Sequence, residues 1–312
     1  MLDFLCIGEP LAEFTNDPAT PDLFHRRLGG DTLNAAIYLA RLRPDLRVGY
    51  LSRLGEDGMS RWMRDTIARE GVEIEGIGAE ANGSPGLSFI ATDATGERSF
   101  TYWRDQAPAR RMFGADGTEV AALGQARVLL FSGITLAILP EEARARLLAE
   151  LDALRQRGVT VAYDTNYRPR LWRDRAEAAE WTERALAVTS LALPSLDDLA
   201  ALWDEADPEA VMARCETHAP GMIVLTTGGG TVLARDASGA ALRVALPEPV
   251  AAVDTTAAGD SFDAALLSAL QRGKPLAAAI LNGARLASCV VRYPGAIIPR
   301  EAMKEEVAHH AA

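Results

Sequence analysis

Short apolar runs alternate with amphipathic segments along most of the chain. The apolar runs are residues 4–7, 48–51, 128–131, 159–163, 191–193 and 223–226. Between them, residues 32–42, 60–70, 141–157 and 208–218 repeat their apolar positions at the helical period of about 3.6 residues. Strands and helices that alternate in this way are typical of parallel β-α-β units, in which helices cover both faces of a sheet. The pattern therefore predicts an α/β protein with a mostly parallel central sheet.

Two stretches, residues 12–28 and 86–104, depart from this alternation. In the second stretch, Leu87-Ser-Phe-Ile90 and Ser99-Phe-Thr-Tyr102 alternate apolar and polar side chains, which favours antiparallel strands. Residues 93–96, with the sequence Asp-Ala-Thr-Gly, favour a hairpin turn between them. We expect these stretches to form a small β-sheet lid, inserted in a single domain that spans residues 1–312.

The charge balance disfavours nucleic acid as a partner. The 312 residues carry a formal net charge of −11, so no basic surplus exists to neutralise phosphates. No apolar run approaches the roughly 18 residues of a membrane span, and the first residues lack a basic leader segment. We therefore expect a cytoplasmic protein that binds no membrane. The cysteines Cys6, Cys215 and Cys289 are far apart and odd in number, which favours buried thiols over disulfides or a zinc site.

Lysine and histidine are scarce, which disfavours several kinds of catalysis. The chain has two lysines, Lys274 and Lys304, and neither follows a glycine-rich loop, so a Walker-type phosphate loop is excluded. A Schiff-base aldolase is disfavoured because it needs a desolvated lysine. The four histidines are His25, His218, His309 and His310. We expect carboxylates to carry the acid and base chemistry.

The strongest motif is the run Asp254-Thr-Thr-Ala-Ala-Gly-Asp260, which precedes apolar residues at helical spacing. Small residues at the start of a helix let the amides of Ala257, Ala258 and Gly259 approach an anion, and the helix dipole adds positive potential. Asp260 would then lie beside that anion, where it can take a proton from a hydroxyl group. The alternative is that Asp260 caps the helix and that Gly259 turns the chain.

A second motif, Gly29-Gly30-Asp31-Thr-Leu-Asn34, introduces the first helical segment. Glycine lets backbone amides contact a ligand, and Asp31 and Asn34 suit a ligand with several hydroxyl groups. The alternative is a turn followed by a helix cap.

Two arginines indicate the charge of the ligand. Arg104 ends the predicted lid, and Asn166 and Arg168 follow a buried-looking strand, at the sheet edge where α/β proteins bind ligands. Arginine forks match carboxylates, so two converging arginines predict an acidic sugar. The alternative is that each arginine is simply solvated. A further glycine-rich run, Thr226-Thr-Gly-Gly-Gly-Thr231, either lines a nucleotide phosphate or ribose, or forms a hairpin turn.

These motifs together resemble the signatures of the ribokinase-like (PfkB-type) carbohydrate kinases over essentially the whole chain. The branch that phosphorylates 2-keto-3-deoxygluconate is the most similar. The segments shared with it are Gly29-Gly-Asp-Thr-Leu-Asn34, Tyr102-Trp-Arg104, Ser132-Gly-Ile-Thr-Leu-Ala-Ile-Leu139, Asn166-Tyr-Arg-Pro-Arg-Leu-Trp172 and Gly295-Ala-Ile-Ile-Pro-Arg300. The resemblance implies a three-layer α/β/α sandwich with a small β-sheet lid, and ATP-dependent phosphorylation of the terminal C6 hydroxyl of that sugar acid. The alternatives are another kinase of the family, for fructose or 5-keto-2-deoxygluconate, and a sugar-acid sensor without catalysis.

The resemblance also implies a role for individual residues. The expected sugar-acid contacts are Gly30, Asp31, Asn34, Phe89, Tyr102, Trp103, Arg104, Arg168 and Asp260. The expected ATP contacts are Asn166, Arg168, Thr226, Gly228, Gly230, Thr231, Ala257, Ala258, Gly259 and Asn282. Asp198 would contact the Mg²⁺ on the ATP phosphates indirectly. K⁺ would lie near Asp254 and Thr256. The chain would form a homo-oligomer.

Two positions depart from the family pattern. The chain has Ser195-Leu-Asp-Asp198 where the family tends to have Asn-x-x-Glu near magnesium. It has Thr226-Thr227 where a lysine or arginine frequently precedes the glycine of the nucleotide loop. These departures bear on the magnesium ligands and the preferred nucleotide, and they leave the expected place of Asp260 unchanged.

Overall fold

The computed structural model describes residues 1–17, 20–92, 98–115, 117 and 119–311. The strands of this described part are β1 (Leu2–Ile7), β2 (Leu11–Asp17), β3 (Thr20–Gly29), β4 (Val48–Gly55), β5 (Ile77–Glu80), β6 (Gly86–Thr92), β7 (Arg98–Trp103), β8 (Ala126–Ser132), β9 (Thr160–Asp164), β10 (Leu191–Leu193), β11 (Met222–Leu225), β12 (Thr231–Arg235) and β13 (Ala241–Ala245).

The helices of the same part are α1 (Asp31–Leu42), α2 (Gly58–Arg69), α3 (Val120–Leu123), α4 (Gly133–Ile138), α5 (Glu141–Gln156), α6 (Arg175–Ala187), α7 (Leu196–Trp203), α8 (Pro208–His218), α9 (Ala258–Gln271), α10 (Leu276–Val290) and α11 (Lys304–Ala311). Short 3-10 helices cover Pro108–Arg111, Pro169–Leu171 and Arg300–Met303. No helix in the described ranges is long and apolar enough to cross a membrane.

The larger sheet has the strand order β13-β12-β11-β10-β9-β8-β1-β4-β5. Its strands pair in parallel from β11 through to β5, and β12 and β13 are antiparallel additions at one edge. Both faces of this sheet are buried. On β1, Phe4 and Cys6 pack into one hydrophobic cluster, whereas Leu5 and Ile7 pack into the other. Successive side chains of a strand point to opposite faces, so an uninterrupted apolar run is what a strand between two helical layers requires. The predicted α/β sandwich is confirmed.

The smaller sheet has the order β3-β2-β6-β7. The β2 and β3 strands cover the predicted stretch 12–28, and β6 and β7 cover 86–104, with β6 and β7 antiparallel as predicted. The strands β2 and β6 pair in parallel, which the alternation of residue types did not indicate. The hairpin turn predicted at residues 93–96 lies outside the described residues.

Elements with few buried apolar residues, or with many charged ones, were missed by the sequence analysis. Strand β13 buries Val244 while most of its other residues are exposed or half-exposed, so it lacks a readable apolar run. Helix α6 carries five charged residues among thirteen, which obscures its buried stripe. Cys6 and Cys215 are buried free thiols, as predicted, whereas the free thiol Cys289 is only partly buried.

Candidate active site

The candidate site lies where parallel strands of the large sheet end. Glu9 follows β1, Asp164 ends β9, Ser195 follows β10 and Thr226 follows β11. Ligands of open α/β sheets bind beyond the carboxyl ends of the strands. The polar motifs of the sequence therefore meet at one edge of the sheet.

Asp260 is the third residue of α9, in the opening turn of that helix. The helix starts from Ala257, whose φ of 61° lies in the left-handed region that non-glycine residues rarely adopt. A methyl group placed on Gly259 would meet no atom within 4 Å, so this side of the turn is open to a ligand. The amide of Ala258 already donates to the carbonyl of Thr255 at 3.2 Å, so a phosphate would have to compete for that amide.

A hydrogen bond from Asn34 connects the motif at residues 29–34 to the motif at residues 254–260. The Nδ2 of Asn34 donates to Oδ2 of Asp260 at 2.8 Å. The side chain of Asn34 is buried on α1, and the residue before this helix, Gly30, has a φ of 124°. A methyl group on Gly30 would lie 2.5 Å from the carbonyl oxygen of Glu9, so the position requires glycine. The packing of α1 and α9 thus holds the orientation of the Asp260 carboxylate.

The surroundings of Asp260 raise its pKa to about 8. Withdrawal of the carboxyl group from water is the largest cause, and the neighbouring Asp31 carboxylate is the next. The hydrogen bond from Asn34 and the charge of Arg168 oppose this rise. A carboxyl group in such surroundings takes up a proton readily near neutral pH, which is a property of general bases.

Asp31 links α1 to the segment after β9. Its Oδ2 accepts a hydrogen bond of 3.1 Å from Nδ2 of Asn166, a buried residue in the left-handed region with a φ of 26°. The Oδ1 atoms of Asn34 and Asn166 are both buried, and neither finds a hydrogen-bond partner among the described residues. Buried amide oxygens are normally paired, so these two are acceptors for donor groups of a ligand.

Arg168 lies at the open side of the site. Its side chain is 54% exposed, and its Nη1 donates to Oδ1 of Asp198 at 3.3 Å. Burial raises the pKa of Asp198, and the Arg168 guanidinium counteracts that rise. The Oδ2 of Asp198 accepts a weak hydrogen bond of 3.5 Å from Thr165. Most of the Arg168 guanidinium therefore remains available to an anion.

Arg104 is in a different environment, since its side chain is 8% exposed. Its Nε donates to Oε2 of Glu9 at 2.9 Å, and its Nη2 donates to the same oxygen. The guanidinium carbon lies 5.7 Å from the centre of the Tyr102 ring. Arg104 and Tyr102 are thus brought together, with a buried glutamate that the sequence analysis missed.

The lid separates the predicted aromatic residues onto two faces. Tyr102 pairs with Ser88 across the sheet, whereas Trp103 pairs with Leu87, so Tyr102 and Trp103 point to opposite faces. Phe89 packs edge-on against Trp103, with ring centres 5.0 Å apart. Burial raises the pKa of Tyr102, and the charges of Arg104 and Arg168 oppose that rise. The structure does not bring Phe89 and Trp103 to the carboxylates.

The predicted nucleotide loop is a turn between the antiparallel strands β11 and β12. Gly228, Gly229 and Gly230 have φ values of 77°, 141° and 75°, which strongly favour glycine. The Oγ1 of Thr227 donates to the carbonyl of Thr231 at 2.6 Å and holds the turn together. Backbone groups of a glycine turn are accessible to phosphate or ribose. The segment is therefore a hairpin turn, and its backbone groups are accessible to a nucleotide.

Asn282 is buried on α10, beside an open groove of about 1060 Å³. The groove is also lined by Pro247, Val250 and Ala278, which offer an apolar surface for a flat ring. Its lining comes from α10, α11 and the segment before α9 rather than from the carboxylate cluster. Of the residues predicted for the site, Asn282 alone lines the groove.

Asp254 is buried and ties two loops together. Its Oδ1 accepts hydrogen bonds from the amide and Oγ1 of Thr256 at 2.9 and 2.7 Å, and its Oδ2 accepts one from the amide of Gly295 at 2.7 Å. Across the described ranges, no three His, Cys, Asp or Glu side chains converge as a metal-ion site. A metal ion here would need oxygen ligands from a bound substrate, from water or from backbone carbonyls.

Further carboxylates of the site were missed because nothing local distinguishes them. Burial raises the pKa values of Asp164 and Asp263 well above the ordinary range, and the charges of Asp260 and Asp31 add to both rises. Burial also raises the pKa of Glu13, on the inner face of the lid, to about 7. The spacing of Asp263, one turn after Asp260, was the one available signal.

Comparisons with known proteins identify the family of the chain. A family model described as pfkB family carbohydrate kinase matches residues 3–303. A 2-dehydro-3-deoxygluconokinase of Dickeya dadantii is 42% identical over 306 residues, which cover 95% of this chain and 97% of that relative. One from Escherichia coli K12 is 40% identical over 308 residues, with 95% and 97% covered. The crystal structure of a PfkB protein from Polaromonas sp. JS666 superposes with a TM-score of 0.84 and 27% identity, covering 97% of this chain and 99% of that one. With the sheet, the lid and the Asn34–Asp260 pair in place, the chain belongs to the pfkB family of carbohydrate kinases.

Proposed function

We propose that the chain transfers the γ-phosphoryl group of ATP to the C6 hydroxyl of 2-keto-3-deoxygluconate. The observation that carries the proposal is Asp260, held by Asn34 in the open first turn of α9. The relatives of known substrate support the choice of sugar acid, since they match this chain over nearly its whole length. The whole chain acts as one kinase domain, with the lid inserted in it.

Asp260 serves as the base in this proposal. It takes the proton of the C6 hydroxyl as the oxygen attacks the γ-phosphorus, and the bond between that phosphorus and the bridging oxygen to ADP breaks. Asn34 donates to one carboxylate oxygen, Oδ2, so the other oxygen is left for the proton. The high pKa of Asp260 gives the carboxylate enough basicity for this transfer.

The phosphates of ATP fit the start of α9. The open space at Gly259 admits an anion, and the helix dipole and the exposed Arg168 supply positive potential. The groove beside Asn282 would take the adenine, and the turn from Thr226 to Thr231 would follow the ribose and phosphates.

Mg²⁺ fits the oxygen-rich edge of the sheet. A hard cation prefers carboxylate and phosphate oxygens with several waters, and Asp198 offers a carboxylate there. The chemistry that Mg²⁺ supplies when bound is neutralisation of charge on the phosphates. K⁺ near Asp254 and Thr256 is a weaker fit, because hydrogen bonds from Thr256 and Gly295 already occupy the Asp254 carboxylate. A cation at that place would rely on backbone carbonyl oxygens.

The acidic end of the sugar would lie under the lid, between Tyr102, Arg104 and Arg168. Gly30, Asp31 and Asn34 would contact its hydroxyl groups. This division of contacts predicts that a neutral sugar would be a poor substrate, since two arginines would face no charge.

A second copy of the chain fits the outer face of the lid. Phe14 and Phe89 stack there with ring centres 4.9 Å apart, and Phe24 and Trp103 extend the aromatic surface. Trp103 is 58% exposed, and a contiguous exposed apolar surface favours association with another protein. This surface supports a homo-oligomer formed through the lids.

The decisive experiment is ADP release measured over a panel of acceptors. We expect kcat/KM for 2-keto-3-deoxygluconate to exceed that for fructose by at least about a hundredfold, because fructose lacks the carboxylate. Phosphorus-31 and carbon-13 NMR of the product should place the phosphate on C6. Preference for fructose or 5-keto-2-deoxygluconate would replace the proposal with the corresponding kinase. Binding of the sugar acid without any ADP release would indicate a sensor.

A further inference from the structure

Glu9 is buried at the carboxyl end of β1, where it meets the last residues of the lid. Its side chain is 1% exposed, and its Oε2 receives both the Nε and the Nη2 of Arg104. Sequence reasoning gave Glu9 no role, and the proposed mechanism does not use it. We propose, resting on the proposed function, that Glu9 is a positioning residue that aims the Arg104 guanidinium at the carboxylate of the sugar acid.

The geometry of the pair supports this role. Arg104 uses its side edge, Nε and Nη2, and directs both donors to a single oxygen of Glu9. The end edge of the guanidinium, formed by Nη1 and Nη2, is the one that a second carboxylate can approach in fork geometry. A side-on partner therefore fixes the rotation of the guanidinium and leaves its end edge for the substrate. Tyr102, which shares the inner lid face, packs near the same group.

The surroundings of Glu9 hold it in place from two sides. Its backbone carbonyl lies against Gly30, the residue that precedes α1. A methyl group on Gly86, at the start of β6, would overlap Oε1 of Glu9 and approach the Cβ of Arg104 to 3.1 Å. Glu9 thus connects the base of the lid to the start of α1, where expected sugar contacts lie. A change in this carboxylate should therefore affect the sugar site more than the nucleotide site.

The second oxygen of Glu9 distinguishes the pair from an ordinary buried ion pair. Oε1 is buried and finds no hydrogen-bond partner in the part of the chain that the structure describes. A buried ion pair selected only for stability is expected to satisfy both oxygens, because an orphan acceptor costs free energy. The pair therefore leaves one oxygen of Glu9 unsatisfied, which points to a role for Glu9 other than stability.

Two roles for Glu9 give opposite results when it becomes glutamine. If Glu9 only neutralised Arg104, Glu9→Gln would free positive charge and lower the KM for the sugar acid. If Glu9 positions Arg104, the same variant loosens the guanidinium and raises that KM. Misplacement of a binding group by a small distance commonly costs between about tenfold and a hundredfold. We expect a rise of at least about tenfold, with the KM for ATP within twofold of the wild type.

The experiment compares the wild type with Glu9→Gln, Glu9→Asp, Arg104→Ala and the double variant Glu9→Gln/Arg104→Ala. The aspartate variant should recover part of the affinity, because it keeps the carboxylate. Glu9→Gln should add no further rise in the Arg104→Ala background, since its effect passes through Arg104. An unchanged or lowered KM, or the same added factor in both backgrounds, would overturn the inference.

Gly86→Ala provides a second route if the glutamine variant does not fold. It keeps both charges but displaces the carboxylate of Glu9, so we expect the KM for the sugar acid to rise severalfold while the KM for ATP stays the same. Equal effects on both KM values, or none, would overturn the inference. Failure of the wild type to phosphorylate the sugar acid would instead overturn the proposed function, so the two failures are distinguishable.

Discussion

Asn34 on α1 donates a hydrogen bond of 2.8 Å to Asp260 on α9, although 226 positions separate the two residues. The bond occupies one oxygen of the carboxylate and orients the other. It also opposes the burial and the Asp31 charge that raise the Asp260 pKa. One amide group therefore orients the proposed base and limits the rise of its pKa.

Replacing Asp260 with asparagine should remove turnover while leaving the site folded. Loss of a general base costs between about a hundredfold and ten-thousandfold in kcat, and KM values for both substrates should change little. The comparison is Asp263→Asn, which replaces a second buried carboxyl group of the site, one turn later on the same helix. Steady-state kinetics check the pair. If the two variants lose equal activity, Asp260 is not the base.

The activity should rise with pH through an apparent pKa well above that of an ordinary carboxyl group. Asp260 must be ionised to accept a proton, and its pKa in the unliganded protein is about 8. Asp31→Asn removes the neighbouring charge, so it should move the rising limb of kcat/KM to lower pH. Asp236→Asn, in the turn between β12 and β13, serves as the control and should leave the limb in place. A limb unmoved by Asp31→Asn would contradict the assigned cause.

The same ionisation makes a prediction about stability. The folded pKa of about 8 lies above the value of about 3.9 for an unfolded aspartate, so the folded state binds more protons between those values. The free energy of unfolding therefore contains a contribution that is present below about pH 4 and is lost as pH rises through the folded pKa. Asp260→Asn removes the buried charge, so its gain in melting temperature over the wild type should be larger at pH 8.5 than at pH 5. Thermal unfolding at the two pH values provides the measurement, and a constant difference would contradict the prediction.

Gly30→Ala should destabilise the fold and the sugar site together. The position has a φ of 124°, and the added methyl would lie 2.5 Å from the carbonyl oxygen of Glu9. Strain of this kind costs about 1–3 kcal/mol, and displacement of α1 would also disturb Asn34. Gly239→Ala is the control, because Gly239 also has a positive φ, 88°, but nothing lies within 4 Å of an added methyl. Chemical denaturation should show a larger loss in the free energy of unfolding for Gly30→Ala than for Gly239→Ala. Equal losses would show that the clash with Glu9 is not the cause.

The outer lid face should control the oligomeric state. Trp103→Lys places a charge in the aromatic surface, so analytical ultracentrifugation should show a shift toward monomer. Val253→Lys changes another exposed apolar residue, 63% accessible and away from the lid strands, and should leave the association unchanged. A wild-type protein that is monomeric at micromolar concentration would contradict the role given to this face.

Sequence periodicity was sufficient for the framework of the fold. The apolar runs at residues 4–7 and 128–131 became adjacent parallel strands of the sheet. The edge strand β13 escaped because four of its five residues are exposed or half-buried, and β12 escaped because its buried apolar run has only three residues. Helix α7 escaped because eight residues give too few turns for a clear period.

The site could be anticipated residue by residue, but its contacts could not. Asp260 and Asn34 each have motifs that indicate a ligand, yet neither motif specifies the partner of the other. Glu9 was overlooked because one glutamate after a strand is common, and its partner Arg104 lies 95 positions later. Local patterns report on neighbours in the chain, whereas a buried ion pair depends on how distant elements pack.

The bond between Asn34 and Asp260 also bears on how the enzyme is made. The first partner is among the first tenth or so of the residues to leave the ribosome, and the second emerges when about five-sixths of the chain has been synthesised. Contacts between such distant positions close late, because the loop between them must be ordered first. A nascent or truncated chain that ends before α9 therefore has all the described strands and most of the expected sugar contacts, but it lacks the proposed base. Under the proposed mechanism, phosphoryl transfer requires synthesis to have passed Asp260.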